Sequence, residues 1–244
     1  MQVQSIILAA GKGTRMGNPE LPKVLAPLSG KPMVSYILDS LATTSFLPPV
    51  LVVGFHHEKV RQALGDSYRY ILQPELLGTG YAEICCQKEL QGQADYFLVI
   101  NGDQPLISRA TIENLVAAHT QSGAVMSLVT ITSSQETFQA FGRIVRDADG
   151  KVTAIREFKD ATEEERQIKE FNAGVYCFSN DFLWPALGQL DSKNSQAEYY
   201  LTDLLAAAIQ EGLVVSTAEL ADWKEGLGVN SPDQLEAVEK QLAN

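Results

Sequence analysis

The sequence predicts an α/β protein with a mainly parallel central sheet and helices on both faces of that sheet. Short apolar segments rich in β-branched residues alternate with segments whose apolar residues recur at helical spacing. Such alternation is typical of repeated βαβ units. The chain has 244 residues, which is enough to bury a large core, and it contains no Pro-, Gly- or Ser-rich linker. We therefore expect one continuous domain over residues 1–244.

The first half of the chain supplies these units in regular alternation. The predicted strands are residues 4–9, 50–54, 69–72 and 96–101. The predicted helices are residues 33–42, 58–64, 79–90 and 111–119. Ligands of such sheets bind beyond the carboxyl ends of the strands. The glycine-rich loop after the first strand and Asp103 after the fourth strand are therefore expected to face the same crevice.

The second half is richer in strands. The predicted strands are residues 125–132, 142–146, 152–158, 173–178 and 214–219. The predicted helices are residues 181–187, 201–210 and 233–242. Residues 147–150 have the turn chemistry of a hairpin that joins two of these strands. Thr162 and Glu165 have the spacing of a capping box, which predicts a short acidic helix from Glu163 to Arg166.

Composition and charge exclude several classes of function. Hydrophobic residues make up 45% of the chain and charged residues 20%, which is ordinary for a globular protein. The formal net charge of −11 argues against nucleic acid or an acidic membrane as a partner, because their phosphates would be repelled. The sequence shows no signal peptide and no apolar run near the ~20 residues of a membrane span, so we expect a cytoplasmic location.

Cysteine and histidine patterns indicate no zinc or disulfide framework. The cysteines are Cys85, Cys86 and Cys177, and we interpret them as core or helix-face thiols. The histidines have no metal-ligand spacing either, and we interpret them as solvated or structural. A metal, if present, must therefore be held by oxygen ligands.

The loop after the first strand has the composition of a phosphate-binding loop. Gly11 and Gly13 would let backbone N–H groups approach phosphate oxygens, and Arg15 and Lys23 would add two cations. The spacing does not match a P-loop, because the lysine lies between the glycines. It does not match a dinucleotide-binding fingerprint either, because Met16 stands where that pattern needs its third glycine. We therefore expect a nucleoside triphosphate site of another type, with solvated surface cations as the alternative.

Two further positions have side chains suited to such a site. Asp103, after the strand at residues 96–101, could hold Mg²⁺, although an aspartate at a strand end is often a helix cap or turn former. Gln73 carries both a donor and an acceptor, as the pairing edge of uracil or thymine requires, and Gly78 would let a base lie against the backbone. The alternative for this segment is a turn followed by a helix that begins at Thr79.

The residues of the glycine-rich loop, with Pro22 and Lys23, resemble the signature of sugar-1-phosphate nucleotidyltransferases. Further segments extend the resemblance, in order along the chain, to the bacterial N-acetylglucosamine-1-phosphate uridyltransferases. These segments are residues 73–80, 141–144, 157–162, 172–174, 196–203 and 228–230. The resemblance runs from Ile7 to about Asn230 and implies a Rossmann-like nucleotidyltransferase fold of the GT-A-like type.

The resemblance also implies roles for individual residues. The nucleotide base would be received by Ala10, Gly11, Gln73 and Gly78, and Leu8 would be a further substrate-binding residue. The catalytic residues would be Arg15 and Lys23, which hold phosphates, and Asp103, which binds Mg²⁺ together with Asn230. The amino sugar would be held by Thr79, Gly142, Glu157 and Asn172. Residues 1–120 would then be a nucleotide-binding half, residues 121–230 a sugar-binding half and residues 231–244 a C-terminal helix.

The expected reaction joins UTP to N-acetylglucosamine-1-phosphate and releases pyrophosphate. Two alternatives stay open: another sugar-1-phosphate nucleotidyltransferase that uses glucose-1-phosphate or dTTP, and a non-catalytic sensor of nucleotide sugars. The sequence departs from the family at Asn101, where a tyrosine is usual, and this leaves the choice of sugar less certain. Bifunctional members also continue into a β-helix that acetylates glucosamine-1-phosphate, whereas this sequence ends at Asn244, as a monofunctional enzyme or a truncated chain would. The sequence does not indicate an oligomeric state.

Overall fold

The computed structural model describes residues 1–242; residues 243–244, the end of the predicted segment 231–244, lie outside the described residues. The strands are β1 (Val3–Ala9), β2 (Pro27–Leu28), β3 (Lys31–Pro32), β4 (Leu47–Val53), β5 (Arg69–Leu72), β6 (Tyr96–Asn101), β7 (Met126–Thr132), β8 (Arg143–Arg146), β9 (Val152–Arg156), β10 (Glu170–Ser179) and β11 (Val215–Glu219). The α-helices are α1 (Val34–Ala42), α2 (His57–Leu64), α3 (Thr79–Leu90), α4 (Arg109–Ser122), α5 (Glu163–Arg166), α6 (Asn180–Leu187), α7 (Leu204–Gln210) and α8 (Pro232–Leu242).

A large mixed sheet forms the centre of the molecule. Its main strands lie in the order β11-β7-β10-β6-β1-β4-β5, and the hairpin of β8 and β9 extends from β10. The neighbouring pairs β11–β7, β6–β1, β1–β4 and β4–β5 are parallel, whereas β10 is antiparallel to both β6 and β7. The prediction of a mainly parallel sheet is therefore confirmed for its main strands, with β10 and the β8–β9 hairpin as the antiparallel part.

Helices cover both faces of this sheet, as predicted. Side chains alternate along β1, so that Ile7 packs into one apolar core and Ile6 into the other. The first core also contains buried side chains of α1, α2 and α4, and the second contains those of α3, α6 and α7. Because both faces are covered, the strands can be apolar on both sides, which explains why they appear as continuous apolar runs in the sequence. Among residues 1–242, no helix has both the length and the apolar character needed to cross a membrane.

Two local predictions in the second half are confirmed. β8 and β9 form an antiparallel hairpin, in which the Asp147 amide donates to the Lys151 carbonyl at 2.9 Å and Gly150 has a φ of +80°. α5 begins with a complete capping box. The Thr162 hydroxyl accepts from the Glu165 amide at 3.2 Å, and the Glu165 carboxylate accepts from the Thr162 amide at 2.9 Å.

Several predicted elements differ from the structure in their limits, and two of these differences involve contacts or irregularities near the site. The helix predicted at residues 201–210 begins instead as a 3₁₀ turn, Leu201–Asp203, followed by α7. The Leu201 amide donates to the hydroxyl of Thr79 at 3.1 Å, so contact with the start of α3 determines the local conformation. The strand predicted at residues 173–178 starts earlier, at Glu170, and its register shifts between Asn172 and Tyr176. Gly174 lies within this irregularity with a φ of +74°, a conformation that glycine adopts without strain.

Candidate active site

The carboxyl ends of the parallel strands meet at one edge of the sheet and bring the predicted loops together. β1 and β6 pair as far as Leu8 and Asn101. The amide of the following residue, Gly102, donates to the Leu8 carbonyl at 2.9 Å. β5 ends beside β4 in the same way, since the Gln73 amide donates to the Val53 carbonyl at 2.7 Å. The loops after the first and fourth predicted strands therefore face one crevice, as the sequence predicted.

Two cavities occupy this crevice and share part of their lining. The first cavity has a volume of about 340 Å³ and includes the predicted residues Leu8, Ala10, Gly11, Lys23, Gln73, Gly78, Thr79 and Asp103. The second has a volume of about 440 Å³ and includes the predicted residues Leu8, Arg15, Thr79, Asp103, Gly142, Glu157, Asn172 and Asn230. Leu8, Thr79, Asn101 and Asp103 line both cavities. Every residue predicted for the site thus lies on this crevice, and the individual roles stay predictions.

Gln73 and Gly78 form one end of the first cavity. Gln73 is only 4% exposed, and its side-chain amide donates to the Gly78 carbonyl at 3.2 Å. This bond orients the amide and leaves the side-chain carbonyl oxygen of Gln73 as an acceptor. Gly78 has a φ of +104°, and a Cβ there would lie 2.6 Å from the Tyr199 carbonyl oxygen. Only glycine fits at this position.

A segment from the second half of the chain, around Tyr199, forms hydrogen bonds with the loop that contains Gly78. The Tyr199 amide donates to the Leu77 carbonyl at 2.8 Å, and the Tyr199 carbonyl accepts from the Gly80 amide at 2.8 Å. Glu198, in the same segment, lines the first cavity. This contribution was not predicted from the sequence, which indicates no site residue among residues 196–203. Although the segment carries part of the family resemblance, nothing in its own residues indicates which distant loop it contacts.

Lys23 lies between the two residues predicted to hold a metal. Its ammonium group donates to the Asp103 carboxylate and, at 2.7 Å, to the side-chain oxygen of Asn230. Gly13 makes this placement possible, because a Cβ there would lie 2.5 Å from the Cβ of Lys23. The Val229 amide donates to the Asp103 backbone carbonyl at 2.9 Å, which joins the C-terminal segment to the end of β6.

The oxygens around Lys23 also suit a divalent cation. A carboxylate and an amide oxygen already bind a cationic group there, and Mg²⁺ takes one or two protein oxygens and completes its shell with phosphate and water. Within residues 1–242, no group of three or more His, Cys, Asp or Glu residues could hold a metal on its own. A metal bound by Asp103 and Asn230 would complete its shell with oxygens of substrate or water.

Arg15 lies at the rim of the second cavity in an exposed 3₁₀ turn, Thr14–Met16. Gly13 and Gly17 flank this turn, with φ values of +62° and +72°. Throughout the described part of the chain, the Arg15 guanidinium has no hydrogen-bond or ion-pair partner. All of its donors are therefore available to an anion that enters the crevice.

Glu157 and Asn172 lie on the second cavity, away from the Gln73 end of the first. The Thr202 hydroxyl donates to the Glu157 carboxylate at 3.3 Å, and burial raises the pKa of Glu157 above its usual value. Asn172 is 8% exposed and donates to the Tyr176 hydroxyl at 2.6 Å, while its side-chain oxygen accepts from the Gly174 amide at 3.1 Å. Thr202 and Tyr176 line this cavity too, and neither was predicted from the sequence.

Asn101, the position that departs from the resembled family, joins two strands. Its side-chain amide donates to the Gly174 carbonyl at 3.2 Å, and a Cβ on Gly174 would lie 2.4 Å from that nitrogen. Glycine at position 174 therefore leaves the space that the Asn101 side chain on the neighbouring strand occupies. Because Asn101 lines both cavities, it forms part of the wall at which they meet.

Comparison with known proteins identifies related sequences. The MobA-like NTP transferase domain family matches residues 5–206. The bifunctional protein GlmU of Heliobacterium modesticaldum is 43% identical over 238 residues, which are 98% of this chain and 51% of that protein. GlmU of Enterococcus faecalis is 43% identical over 236 residues, which are 97% of this chain and 51% of that protein. The chain thus spans about half the length of the curated relatives it matches.

Solved structures with low sequence identity share the fold. A putative glucose-1-phosphate thymidylyltransferase from Bacillus anthracis has a TM-score of 0.78 at 19% identity, over 98% of this chain and 94% of that one. A UDP-glucose pyrophosphorylase complexed with UDP-glucose has a TM-score of 0.81 at 16% identity, over 100% of this chain and 99% of that one. The expected nucleotidyltransferase fold is confirmed, and the match over residues 5–206 shows that the chain belongs to the MobA-like NTP transferase domain family.

Proposed function

We propose that the chain is a nucleotidyltransferase that joins UTP to N-acetylglucosamine-1-phosphate and gives UDP-N-acetylglucosamine and pyrophosphate. The observation that carries this proposal is the Lys23–Asp103–Asn230 cluster at the junction of the two cavities. A nucleotide in the first cavity and a sugar phosphate in the second would bring their phosphates to this cluster. The GlmU relatives over nearly the whole chain add support.

The chemistry requires little more than positioning and charge neutralisation. A phosphate oxygen of the sugar attacks the α-phosphorus of UTP in line, a P–O bond forms, and the bond to the β-phosphate breaks to release pyrophosphate. The attacking oxygen is already ionised, so no general base is needed. Lys23 meets the charge that develops at the α-phosphate, and Arg15 binds the departing pyrophosphate.

Asp103 and Asn230 would hold Mg²⁺ in the proposed complex. When bound, Mg²⁺ would neutralise charge on the reacting phosphates and help to orient them. Because Lys23 occupies these same oxygens in the described structure, its ammonium would turn toward a phosphate once the metal is in place. The division into a nucleotide-binding half, residues 1–120, and a sugar-binding half, residues 121–230, is part of the same proposal. The cytoplasmic location stays a prediction.

A pyrophosphate-release assay tests the proposed function. The purified chain is given Mg²⁺ and each combination of UTP, dTTP, ATP and GTP with N-acetylglucosamine-1-phosphate, glucosamine-1-phosphate and glucose-1-phosphate. We expect the highest kcat/KM with UTP and N-acetylglucosamine-1-phosphate. A preference for dTTP or glucose-1-phosphate would favour a different sugar nucleotidyltransferase. Binding of nucleotide without pyrophosphate release from any pair would favour a sensor.

Gln73→Ala tests recognition of the base. We expect kcat/KM for UTP to fall by a factor that corresponds to about 1–3 kcal/mol, because the pairing edge of uracil loses a partner in a desolvated pocket. The KM for the sugar phosphate should change little. Steady-state kinetics with each substrate varied in turn measures the effect. A change confined to the sugar-phosphate KM would contradict the assignment of the first cavity to the nucleotide.

Asn172→Ala makes the opposite test in the second cavity. We expect the KM for the sugar phosphate to rise with little change in the KM for UTP. Tyr176→Phe is the matched control, since it removes the hydroxyl that Asn172 contacts and keeps the Asn172 amide. If both variants raise the sugar-phosphate KM equally, the effect of Asn172 lies in its bond to Tyr176, and direct contact with the sugar is wrong. A loss of UTP affinity alone in Asn172→Ala would overturn the assignment of the second cavity.

A further inference from the structure

Arg143 is a fully buried cation next to the second cavity. Its exposed fraction is 0%, and it has no carboxylate partner in residues 1–242. It lies at the start of β8, directly after Gly142. Burying a charge is costly unless other groups replace its hydration, and burial beside Arg166 lowers the pKa of Arg143. A cation is retained at a position where an apolar side chain would be easier to bury.

Carbonyl oxygens and aromatic rings replace part of the missing water, while the Arg143 Nε has no hydrogen-bond partner among residues 1–242. The guanidinium donates to the Phe141 carbonyl, to the Arg166 carbonyl at 3.3 Å and to the side-chain oxygen of Gln139 at 3.3 Å. Its carbon lies 4.8 Å from the centroid of the Phe171 ring and 5.3 Å from that of Phe158. These are cation–π distances, and a planar guanidinium can stack on rings while it donates at its edges.

The groups that Arg143 contacts are chain neighbours of the residues proposed to hold the sugar. Phe158 directly follows Glu157, and Phe171 directly precedes Asn172. The contacted carbonyl of Phe141 directly precedes Gly142. One side chain therefore links the three separate segments that carry Gly142, Glu157 and Asn172 on the second cavity.

We infer that Arg143 is a positioning residue for the sugar-phosphate site, one that sets these three segments against the substrate without touching it. The inference rests on the proposed function of the second cavity. A side chain that only filled space could be apolar, whereas Arg143 donates to the carbonyl before Gly142 and stacks its planar guanidinium on the rings beside Glu157 and Asn172. Lysine has one compact ammonium group and would reach fewer of these acceptors.

The test compares Arg143→Met and Arg143→Lys with the unmodified chain in the pyrophosphate-release assay. For Arg143→Met we expect the KM for N-acetylglucosamine-1-phosphate to rise about tenfold, because the three segments are no longer held together, with changes below about threefold in kcat and in the KM for UTP. For Arg143→Lys we expect a smaller rise, about threefold, because the charge and some donors are kept. The thermal unfolding midpoint of each variant is measured alongside.

Ile144→Ala is the matched control for general loss of stability. Ile144 is the next residue of β8, is 1% exposed, and packs into the second apolar core on the other side of the strand. The Ile144→Ala substitution should lower the unfolding midpoint and leave the ratio of the KM for the sugar phosphate to the KM for UTP unchanged. The inference is overturned if Ile144→Ala shifts that ratio as the Arg143 variants do. It is also overturned if both KM values rise together in Arg143→Lys and Arg143→Met.

The outcomes separate this inference from the proposed function. If the unmodified chain releases no pyrophosphate from any substrate pair, the proposed function fails. If it is active and both Arg143 variants keep the normal sugar-phosphate KM, the function stands and the positioning role is wrong. Should Arg143→Met fail to fold, the split between the two KM values in Arg143→Lys decides the question.

Discussion

Asp103→Asn is expected to reduce kcat for pyrophosphate release by about 10²-fold or more, which corresponds to a few kcal/mol of transition-state stabilisation. The substitution keeps the shape of the side chain and removes its charge. The Asp103 backbone carbonyl would still accept from the Val229 amide, so the loop should stay in place. The decrease in kcat therefore measures the effect of the negative charge of Asp103, which pairs with Lys23 and would bind the metal. Initial rates at saturating substrates and a series of Mg²⁺ concentrations measure it.

Asp66→Asn is a suitable control for this experiment. Asp66 also pairs with a basic residue, Arg61 at 2.6 Å, but it is exposed and lies outside both cavities. Removing its charge should leave kcat unchanged. Activity of Asp103→Asn within a few-fold of the unmodified chain at saturating Mg²⁺ would disprove the proposed metal site.

Glu83 should make the stability of the chain depend strongly on pH. This residue of α3 is 0% exposed, and neither of its carboxyl oxygens has a hydrogen-bond partner among residues 1–242. Burial raises the pKa of Glu83 to about 8, from 4.5 for an unperturbed glutamate. Between these values the unfolded chain has lost the proton and the folded chain has kept it. The contribution of Glu83 to the free energy of unfolding is therefore expected to fall by about 5 kcal/mol as the pH rises from below 4.5 to above 8.

Glu83→Gln isolates this effect, because glutamine is polar and cannot ionise. The difference in unfolding free energy between Glu83→Gln and the unmodified chain should grow in favour of the variant as the pH rises from 5 to 8.5, because most of this window lies between the unfolded pKa of 4.5 and the folded pKa of about 8. Urea unfolding at several pH values measures it. Burial lowers the pKa of His119 to about 4, so His119 acts in the opposite direction, but it is present in both proteins and cancels. A constant difference across this range would show that Glu83 does not titrate in the folded state.

Glu83→Met separates ionisation from polarity. Methionine has a similar volume and no polar atoms that need partners. This variant should be more stable than Glu83→Gln by a similar amount at every pH, because the glutamine amide stays buried without a partner. The two variants should share the same pH profile. A steeper profile for Glu83→Met would mean that a different group is responsible for the pH dependence.

Much of the fold could be predicted because local patterns and a topological rule agree. Apolar runs and helical spacing identified the elements of the first half, and the turn at residues 147–150 and the capping box at Thr162 are determined by neighbouring residues. The rule that parallel strands end at a common edge then placed Asp103 beside the loop after β1. The site residues of the second half, such as Glu157 and Asn172, were instead indicated by the family resemblance.

Other features depend on contacts between distant segments and could not be predicted. Glu83 and Arg143 are charged residues that a sequence pattern places at the surface, and only the packing of surrounding elements buries them. The start of α7 is shifted because Leu201 bonds to Thr79, which lies in another part of the sequence. The support that Tyr199 gives to the loop at Leu77 is equally remote. No local propensity carries information about such pairs.

The position of β10 has a consequence for the order in which the sheet is assembled during synthesis. β10 lies between β6 and β7, and it alone joins β7 and β11 to the remaining main strands of the described sheet. β1, β4, β5 and β6 can pair as soon as residue 101 has been made, but β7 must wait until residues 170–179 emerge. Until then one edge of β6 stays unpaired, and exposed strand edges promote aggregation. We therefore expect nascent chains that end between residues 132 and 170 to be the most dependent on chaperones.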